Sequence, residues 1–172
     1  MIKNLTLSDD DLSLRPITAG DIEMLRNWRN QDFVRNRFVF SDSITSEQQV
    51  QWFEKYNSDD TDYMFIVSYE SNPIGAAALY HINMQKGHAE FGRLMLGDLS
   101  KRGQGLGKRI THLTTRMGFE VLSLKRIYLE VFEENNYAFK IYRELGYKVI
   151  EHAIKGDKRI CSMEILKGEI KP

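Results

Sequence analysis

The sequence predicts an α+β fold, a mixed α/β layer in which about four helices cover a mostly antiparallel sheet of six to seven strands. Runs of β-forming residues and helical stripes follow one another in the order β-α-α-β-β-β-α-β-α-β-β. Short turns join several of the strands, which favours antiparallel pairing. No repeat, low-complexity segment or linker interrupts the 172 residues, so we expect one domain, 1–172, with its core at 12–167.

The N-terminal part of the chain predicts one strand and two helices. Residues 12–17 alternate apolar and polar, and Pro16 places that strand at an edge or an end of the sheet. A helix to about residue 30 follows, with an apolar stripe at helical spacing: Ile22, Leu25 and Trp28. The capping box from Thr45 to Gln48 opens a second helix, whereas residues 31–44 show no clear pattern.

The rest of the chain predicts strands that alternate with two further helices. The predicted strands are 63–70, 74–83, 88–97, 126–132, 147–153 and 159–166. A long helix begins at about Gly105, and its predicted buried stripe is Leu106, Ile110, Leu113, Met117 and Val121. The other helix covers 135–145, and Gly146 stands where a left-handed C-cap belongs.

Composition narrows the possible functions. The 24 Lys and Arg balance the 24 Asp and Glu, which argues against a protein built to bind nucleic acid or an acidic membrane. The first residues predict neither a secretory signal nor a membrane anchor, and a single cysteine excludes an internal disulfide. We therefore expect a cytoplasmic protein. The four histidines show no metal-ligand spacing, so we expect no metal.

A glycine-rich loop between a strand and a helix carries the strongest chemical signal. It consists of Arg102, Gly103, Gln104, Gly105, Leu106, Gly107 and Lys108. Glycine lets the backbone approach a ligand closely, and a helix N-terminus is partially positive, so a phosphate group is the expected ligand. The spacing excludes a dinucleotide-binding turn and a P-loop. For the glycines alone, a turn without a ligand is the alternative.

Two motifs together resemble a known superfamily. The string Arg102-x-x-Gly105-x-Gly107 after a strand resembles the Gln/Arg-x-x-Gly-x-Gly/Ala signature of the GNAT superfamily of N-acetyltransferases. Residues 135–147 are similar to the Asn-x-x-Ala-x-x-x-Tyr-x-x-x-Gly-Phe/Tyr helix of that superfamily. The resemblance implies the acyl-CoA N-acyltransferase fold, acetyl-CoA as the co-substrate and transfer of its acetyl group to an amine.

The resemblance also implies which residues hold the cofactor. The amides of loop 102–108 bind its pyrophosphate, and backbone groups of Leu94, Met95 and Leu96 hold the thioester carbonyl and the pantetheine arm. Asn135 and Ala138 belong to the helical motif that contacts the cofactor. For Asn135 a helix N-cap is an alternative role, compatible with the first.

Acetyl transfer to an amine needs a group that accepts a proton from the ammonium. Glu90 is the candidate base, directly or through water, because the resemblance implies that its strand splays from the neighbouring strand around the cofactor. The alternative for Glu90 is a solvated carboxylate or the partner of a substrate ammonium, and His88 nearby is a second candidate relay. The resemblance makes Tyr142 the proton donor to the leaving sulfur, although Tyr142 also fits the apolar stripe of its helix.

The acceptor is the least specified part of the prediction. Residues 28–35 resemble the branch that acetylates nucleotide-linked amino sugars, and there Trp28 would offer a ring face and Arg29, Arg35 and Arg37 would meet a diphosphate. Core packing of Trp28 and solvated arginines are the alternative. Other candidate acceptors are a protein N-terminus and a polyamine, and a non-catalytic acyl-CoA sensor is an alternative class. The protein is expected to be a monomer or homodimer.

Overall fold

The computed structural model describes residues 5–38 and 40–172. The strands are β1 (Leu7–Asp9), β2 (Leu12–Pro16), β3 (Tyr63–Tyr69), β4 (Asn72–Asn83), β5 (His88–Leu96), β6 (Arg126–Phe132), β7 (Lys148–Lys155) and β8 (Lys158–Leu166). The α-helices are α1 (Ile22–Asn30), α2 (Asp32–Arg35), α3 (Ser46–Ser58), α4 (Leu106–Arg116) and α5 (Asn136–Leu145). Short 3₁₀ turns occupy Ala19–Asp21 and Leu99–Lys101.

The described strands form one eight-stranded sheet in the order β1-β2-β3-β4-β5-β6-β8-β7. Every neighbouring pair is antiparallel except β5 and β6, which are parallel. The predicted fold class is confirmed, but the strand count of six to seven was too low. Both β1, with three residues, and α2, with four, are too short to show a periodic pattern in the sequence.

Helices cover both faces of the central part of the sheet, whereas β7 is exposed along its length. Phe65 and Val67 of β3 pack in the core cluster that includes α4 and α5, whereas Ile66 packs in the cluster that includes α1 and α3. Successive strand residues point to opposite faces, so a continuous apolar run is what a doubly covered strand requires. This arrangement leaves space for a functional site at the ends of the strands near β5 and β6.

The helix that begins after the glycine loop ends differently from its prediction. Its α-helical part stops at Arg116, and a wider π turn follows at Met117–Val121, closed by the Leu122 amide on the Met117 carbonyl at 3.1 Å. A π turn contains one more residue than an α turn, so it shifts the apolar stripe. Val121 is therefore 37% exposed rather than part of the buried stripe, and Met117 is fully buried.

The predicted strands are present, and their ends lie within two residues of the predicted ones. The Gln48 amide donates to the Thr45 hydroxyl at 3.2 Å, and the Thr45 amide donates to the Gln48 side chain at 2.8 Å, which completes the capping box. Gly146 ends α5 with a φ of 109°, a conformation that favours glycine. Pro16 is the last residue of β2, whereas β1 forms the edge of the sheet.

Candidate active site

A fork between β5 and β6 opens the main cleft of the described structure. The two strands pair only where His88, Ala89 and Glu90 lie beside Arg126, Ile127 and Tyr128. Beyond Glu90 the strands diverge, and a cleft of about 520 Å³ lies between them and the N-terminal end of α4. The splayed strand that the resemblance implied is therefore present, and Glu90 stands at the point where the strands separate.

A β-bulge on β5 frees backbone groups along one wall of this cleft. Ala78 lies opposite Gly92 but Ala76 lies opposite Met95, so β5 has one residue more than β4 in this stretch. Arg93 takes up the extra length with a left-handed φ of 50°. The bulge disrupts the ladder locally, which leaves polar backbone groups for a ligand. Leu94, Met95 and Leu96 all line the cleft, as their predicted role requires.

The glycine loop closes one end of the cleft. Gly103 and Gly105 have φ values of 75° and 72°, and a Cβ at either position would meet no heavy atom within 4 Å. These glycines are therefore needed for backbone conformation rather than for space. Gly105 is the N-cap of α4 and provides no capping side chain, so the first amides of the helix are open to an anion.

The loop residues divide into those that face the cleft and those that do not. Arg102, Gly103, Gly105, Leu106 and Gly107 line it. Gln104 instead donates from its side chain to the Ser100 carbonyl at 3.2 Å, and Lys108 forms an ion pair with Glu144 at 3.4 Å. Neither of these two side chains lines the cleft, although their backbone amides belong to the loop.

The helix α5 places its motif on the opposite side of the same cleft. The Asn135 side chain accepts a hydrogen bond from the Ala138 amide at 3.2 Å, so Asn135 caps the helix, and both residues also line the cleft. Tyr142 packs against Phe91 and Tyr147, with ring centroids 6.1 and 5.8 Å away. Tyr142 lines the cleft and also belongs to the hydrophobic core. Its position is therefore compatible with both predicted roles, that of proton donor and that of core residue.

The environment of Tyr142 suits a proton donor. Burial raises the pKa of Tyr142, so its hydroxyl stays protonated at neutral pH. Within the described residues no group hydrogen-bonds that hydroxyl, whereas the neighbouring Tyr147 hydroxyl contacts the Thr115 hydroxyl at 2.8 Å. An unpartnered phenol beside the cleft is available to a leaving thiolate.

Glu90 is held by two residues of the adjacent strand. The Tyr80 hydroxyl donates to Glu90 Oε1 at 3.0 Å, and His81 Nδ1 lies 2.9 Å from Glu90 Oε2. Burial, and then the charge of Glu90, raise the pKa of Tyr80, which keeps its proton available for donation. The Glu90 side chain is 14% exposed and lines the cleft together with Tyr80.

Trp28 and His88, both expected near the acceptor, do not line the cleft. Trp28 packs beside Gly97 in the cluster below α1 and α3, so closely that a Cβ on Gly97 would lie 2.1 Å from its ring. His88 contacts the edge of the Tyr128 ring with centroids 5.8 Å apart. The geometry favours packing for Trp28 and gives His88 no contact with Glu90.

Arg29 and Arg35 also lie outside the cleft. The Arg29 guanidinium lies 4.0 Å from the centroid of the Phe38 ring and donates to the Phe40 carbonyl. Arg35 forms an ion pair with Asp32 at 2.8 Å. These contacts tie both arginines to the segment around α2.

Arg37 and Phe33, in contrast, reach the cleft from the segment that showed no sequence pattern. The Phe33 ring lies between two guanidinium groups, that of Arg37 at 3.9 Å and that of Arg102 at 3.4 Å from its centroid. Burial, and then the charge of Arg102, lower the pKa of Arg37. No carboxylate in the described part of the chain pairs with either arginine. The sequence offered only the charge of Arg37 as a signal.

The family model of the acetyltransferase (GNAT) domain matches residues 11–148. The chain belongs to the GNAT acetyltransferases. It is 29% identical over 143 residues to the spermidine N(1)-acetyltransferase of Escherichia coli K12, covering 83% of this chain and 75% of that protein. It is 23% identical over 135 residues to the acetyltransferase PseH of Campylobacter jejuni, covering 78% and 82%.

A solved GNAT structure extends the match to the fold and the cofactor. The Vibrio cholerae spermidine N-acetyltransferase in complex with CoA and spermine aligns with a TM-score of 0.82 at 25% identity, over 94% of this chain and 98% of that one. The predictions of the GNAT fold and of an acetyl-CoA-dependent N-acetyltransferase are confirmed. Acetyl-CoA is its co-substrate, and the open amides of the glycine loop are suited to the cofactor's pyrophosphate.

The described residues 5–38 and 40–172 contain neither a metal-binding cluster nor a membrane-spanning helix. No group of three or more His, Cys, Asp or Glu side chains there is placed to hold a metal ion. None of the helices there is both long and apolar enough to cross a bilayer.

Proposed function

We propose that this GNAT enzyme acetylates a primary amine of a polyamine such as spermidine. Glu90 carries the part of the proposal that concerns an amine, because its hydrogen-bond partners are a tyrosine and a histidine rather than a lysine or arginine. Its negative charge is therefore left to attract a cationic amine. The E. coli and V. cholerae relatives, which are spermidine acetyltransferases, support this acceptor over the amino sugar expected from the sequence.

The proposed reaction assigns one task to each wall of the cleft. Glu90 accepts a proton from the bound ammonium, which makes the nitrogen a nucleophile. Backbone amides of the bulge at 94–96 donate to the thioester oxygen as it becomes an oxyanion. Tyr142 then donates its proton to the leaving sulfur and is reprotonated as the nitrogen loses its second proton. These are proposed roles, supported by the way Glu90, the bulge and Tyr142 line the same cleft.

A nucleotide-linked amino sugar is the second candidate acceptor, and Arg37 is the observation that favours it. Arg37 is a cation of the cleft for which the described residues provide no carboxylate. A guanidinium forms strong, directed hydrogen bonds with phosphate oxygens.

The acceptor is tested by measuring release of the CoA thiol with spermidine, a UDP-linked amino sugar and a short peptide. The polyamine proposal expects turnover with spermidine, and an Arg37→Gln variant with the same KM for spermidine. Turnover with the amino sugar alone, together with a KM for it that rises about 10- to 100-fold in Arg37→Gln, would contradict the polyamine proposal and support the second candidate. Arg35→Gln is the matched control, because Arg35 lies on the same segment outside the cleft.

A further inference from the structure

We propose that His81 is the proton-transfer partner of Glu90, through which the proton taken from the acceptor amine reaches solvent. This inference rests on the proposed acetyl transfer to an amine but on no particular acceptor. His81 is a positioning and relay residue: it acts through Glu90 and does not line the cleft itself.

A second β-bulge, on β4, creates the contact. Tyr80 lies opposite Glu90 but Asn83 lies opposite His88, so β4 contains one residue more than β5 in this stretch. His81 takes up the extra length with a left-handed φ of 49°, which is uncommon for a residue other than glycine. Consecutive side chains of a regular strand point to opposite faces. Here both Tyr80 and His81 reach the same carboxylate, one at each oxygen.

The strained conformation of His81 is itself informative. A non-glycine residue in the left-handed region is strained, and such conformations concentrate at functional sites. The ring of His81 also contacts the Tyr80 ring edge-on, with centroids 4.9 Å apart. The bulge therefore serves to hold an imidazole on Glu90.

The chemistry of the two partners suits a carboxylate that changes its protonation state. A neutral imidazole donates from Nδ1 to an ionised carboxylate in one tautomer and accepts from a protonated carboxyl in the other. The Tyr80 hydroxyl likewise rotates between donor and acceptor. A lysine or arginine has only donors and would hold Glu90 ionised. Glu90 is thus hydrogen-bonded both before and after it takes a proton.

The different solvent exposures of Glu90 and His81 indicate the direction in which the proton is transferred. The Glu90 side chain is 14% exposed, whereas that of His81 is 68% exposed and therefore accessible to water. The substrate ammonium begins with three protons: one stays on the amide product, one corresponds to that gained by the CoA thiol, and one is released to solvent. A neutral His81 with its proton on Nε2 accepts the proton of Glu90 Oε2 at Nδ1 and then loses the Nε2 proton to water, which accounts for the released proton. Exchange with water returns the remaining proton from Nδ1 to Nε2 and regenerates the relay.

Other charged and titratable groups near Glu90 are engaged elsewhere or remain neutral. They are Tyr80, Asp62, Arg93, Tyr128 and Glu130. Arg93 forms an ion pair with Asp62 at 2.7 Å and its guanidinium lies 4.5 Å from the Tyr80 ring centroid. Glu130 forms an ion pair with Lys155. His81, in contrast, contacts Glu90 directly and is widely exposed to solvent.

The test replaces His81 with asparagine, because asparagine tolerates the left-handed backbone but cannot carry the proton. His152→Asn is the matched control, since His152 is an equally exposed histidine whose Nδ1 lies 2.6 Å from Glu133, outside the cleft. We expect His81→Asn to lower kcat/KM for the amine about 10-fold or more, to change its pH profile, and to leave the KM for acetyl-CoA unchanged. Added imidazole is expected to restore much of the lost rate.

Several results would overturn the inference, and they differ from those that defeat the proposed function. A His81→Asn enzyme with the wild-type rate and pH profile, or one whose loss imidazole does not restore, would reduce His81 to a structural residue while acetyl transfer stands. An equal loss in His152→Asn would show a non-specific effect and overturn the relay as well. A wild-type enzyme that acetylates no amine would overturn both proposals.

Discussion

Gly105 is the position at which a single substitution tests how the pyrophosphate of the cofactor is held. Its φ of 72° and ψ of 7° are left-handed, and a Cβ there would meet no heavy atom within 4 Å. Asparagine and aspartate therefore both fit, and both are favoured N-cap residues that tolerate this backbone. Gly105→Asp and Gly105→Asn are expected to change the free energy of unfolding by less than about 2 kcal/mol.

The two variants differ in one negative charge at the N-terminus of α4. Two unit charges about 4 Å apart interact by about 1 kcal/mol in bulk water and about 4 kcal/mol at the effective dielectric constant of a protein surface. If the pyrophosphate binds at these amides, the aspartate weakens acetyl-CoA binding relative to asparagine by about 5-fold to about 700-fold. The smaller loss of affinity, about 5-fold, applies if the aspartate carboxylate is fully solvated.

Calorimetric titration with acetyl-CoA measures the difference, with urea unfolding of the free variants as the stability measurement. Gly168→Asp is the matched control, because Gly168 is also left-handed, with a φ of 94° and open space around its Cβ, and lies outside the cleft. Equal affinities for the Gly105→Asp and Gly105→Asn variants would refute the placement of the pyrophosphate at this helix end.

Two further predictions concern catalysis and acid stability. Tyr142→Phe is expected to lower kcat about 10- to 100-fold with an unchanged Kd for acetyl-CoA, because it removes the proton donor but keeps the ring packing. Steady-state kinetics measures kcat, and calorimetric titration measures the Kd. A wild-type kcat would show that Tyr142 has only a packing role. The Arg15 guanidinium, hydrogen-bonded to Asp21 at 2.8 Å, lowers the pKa of that carboxyl below its ordinary value of 3.8. The stabilisation that this ion pair provides is therefore present above about pH 4 and is lost as the pH falls through the lowered pKa of the folded state. The loss of unfolding free energy in Asp21→Asn is therefore expected at pH 7 and should shrink towards pH 2; a loss independent of pH contradicts the ion pair as its cause.

The parts of the site that the sequence predicted are those encoded in contiguous residues. The glycine loop and the α5 motif each need only local geometry: a left-handed turn that opens a helix, and an asparagine cap followed by a tyrosine two turns later. The fork at Glu90 was expected only through the resemblance. The catalytic role of Glu90, like the roles of the other site residues, stays a prediction.

The residues that the sequence missed depend on strand register and tertiary contacts. His81 reaches Glu90 only because β4 carries a bulge, and an unbulged hairpin turns the His81 side chain to the other face. Sequence reasoning therefore chose His88, which is nearer to Glu90 along the chain but contacts Tyr128 instead. Arg37 was predicted together with Arg29 and Arg35, but the sequence could not show that it alone of the three lines the cleft. That depends on α2, which is too short to show periodicity and places Phe33 against Arg37 and Arg102.

Acetyl transfer to an amine nitrogen is tested most directly by mass spectrometry of spermidine incubated with the protein and acetyl-CoA. The account predicts spermidine carrying one added acetyl group, formed in step with free CoA, and a much slower reaction with Glu90→Gln. Binding of acetyl-CoA without any acetylated spermidine would contradict the polyamine proposal. Undiminished acetylation by the Glu90→Gln enzyme would contradict the role of this carboxylate as the base.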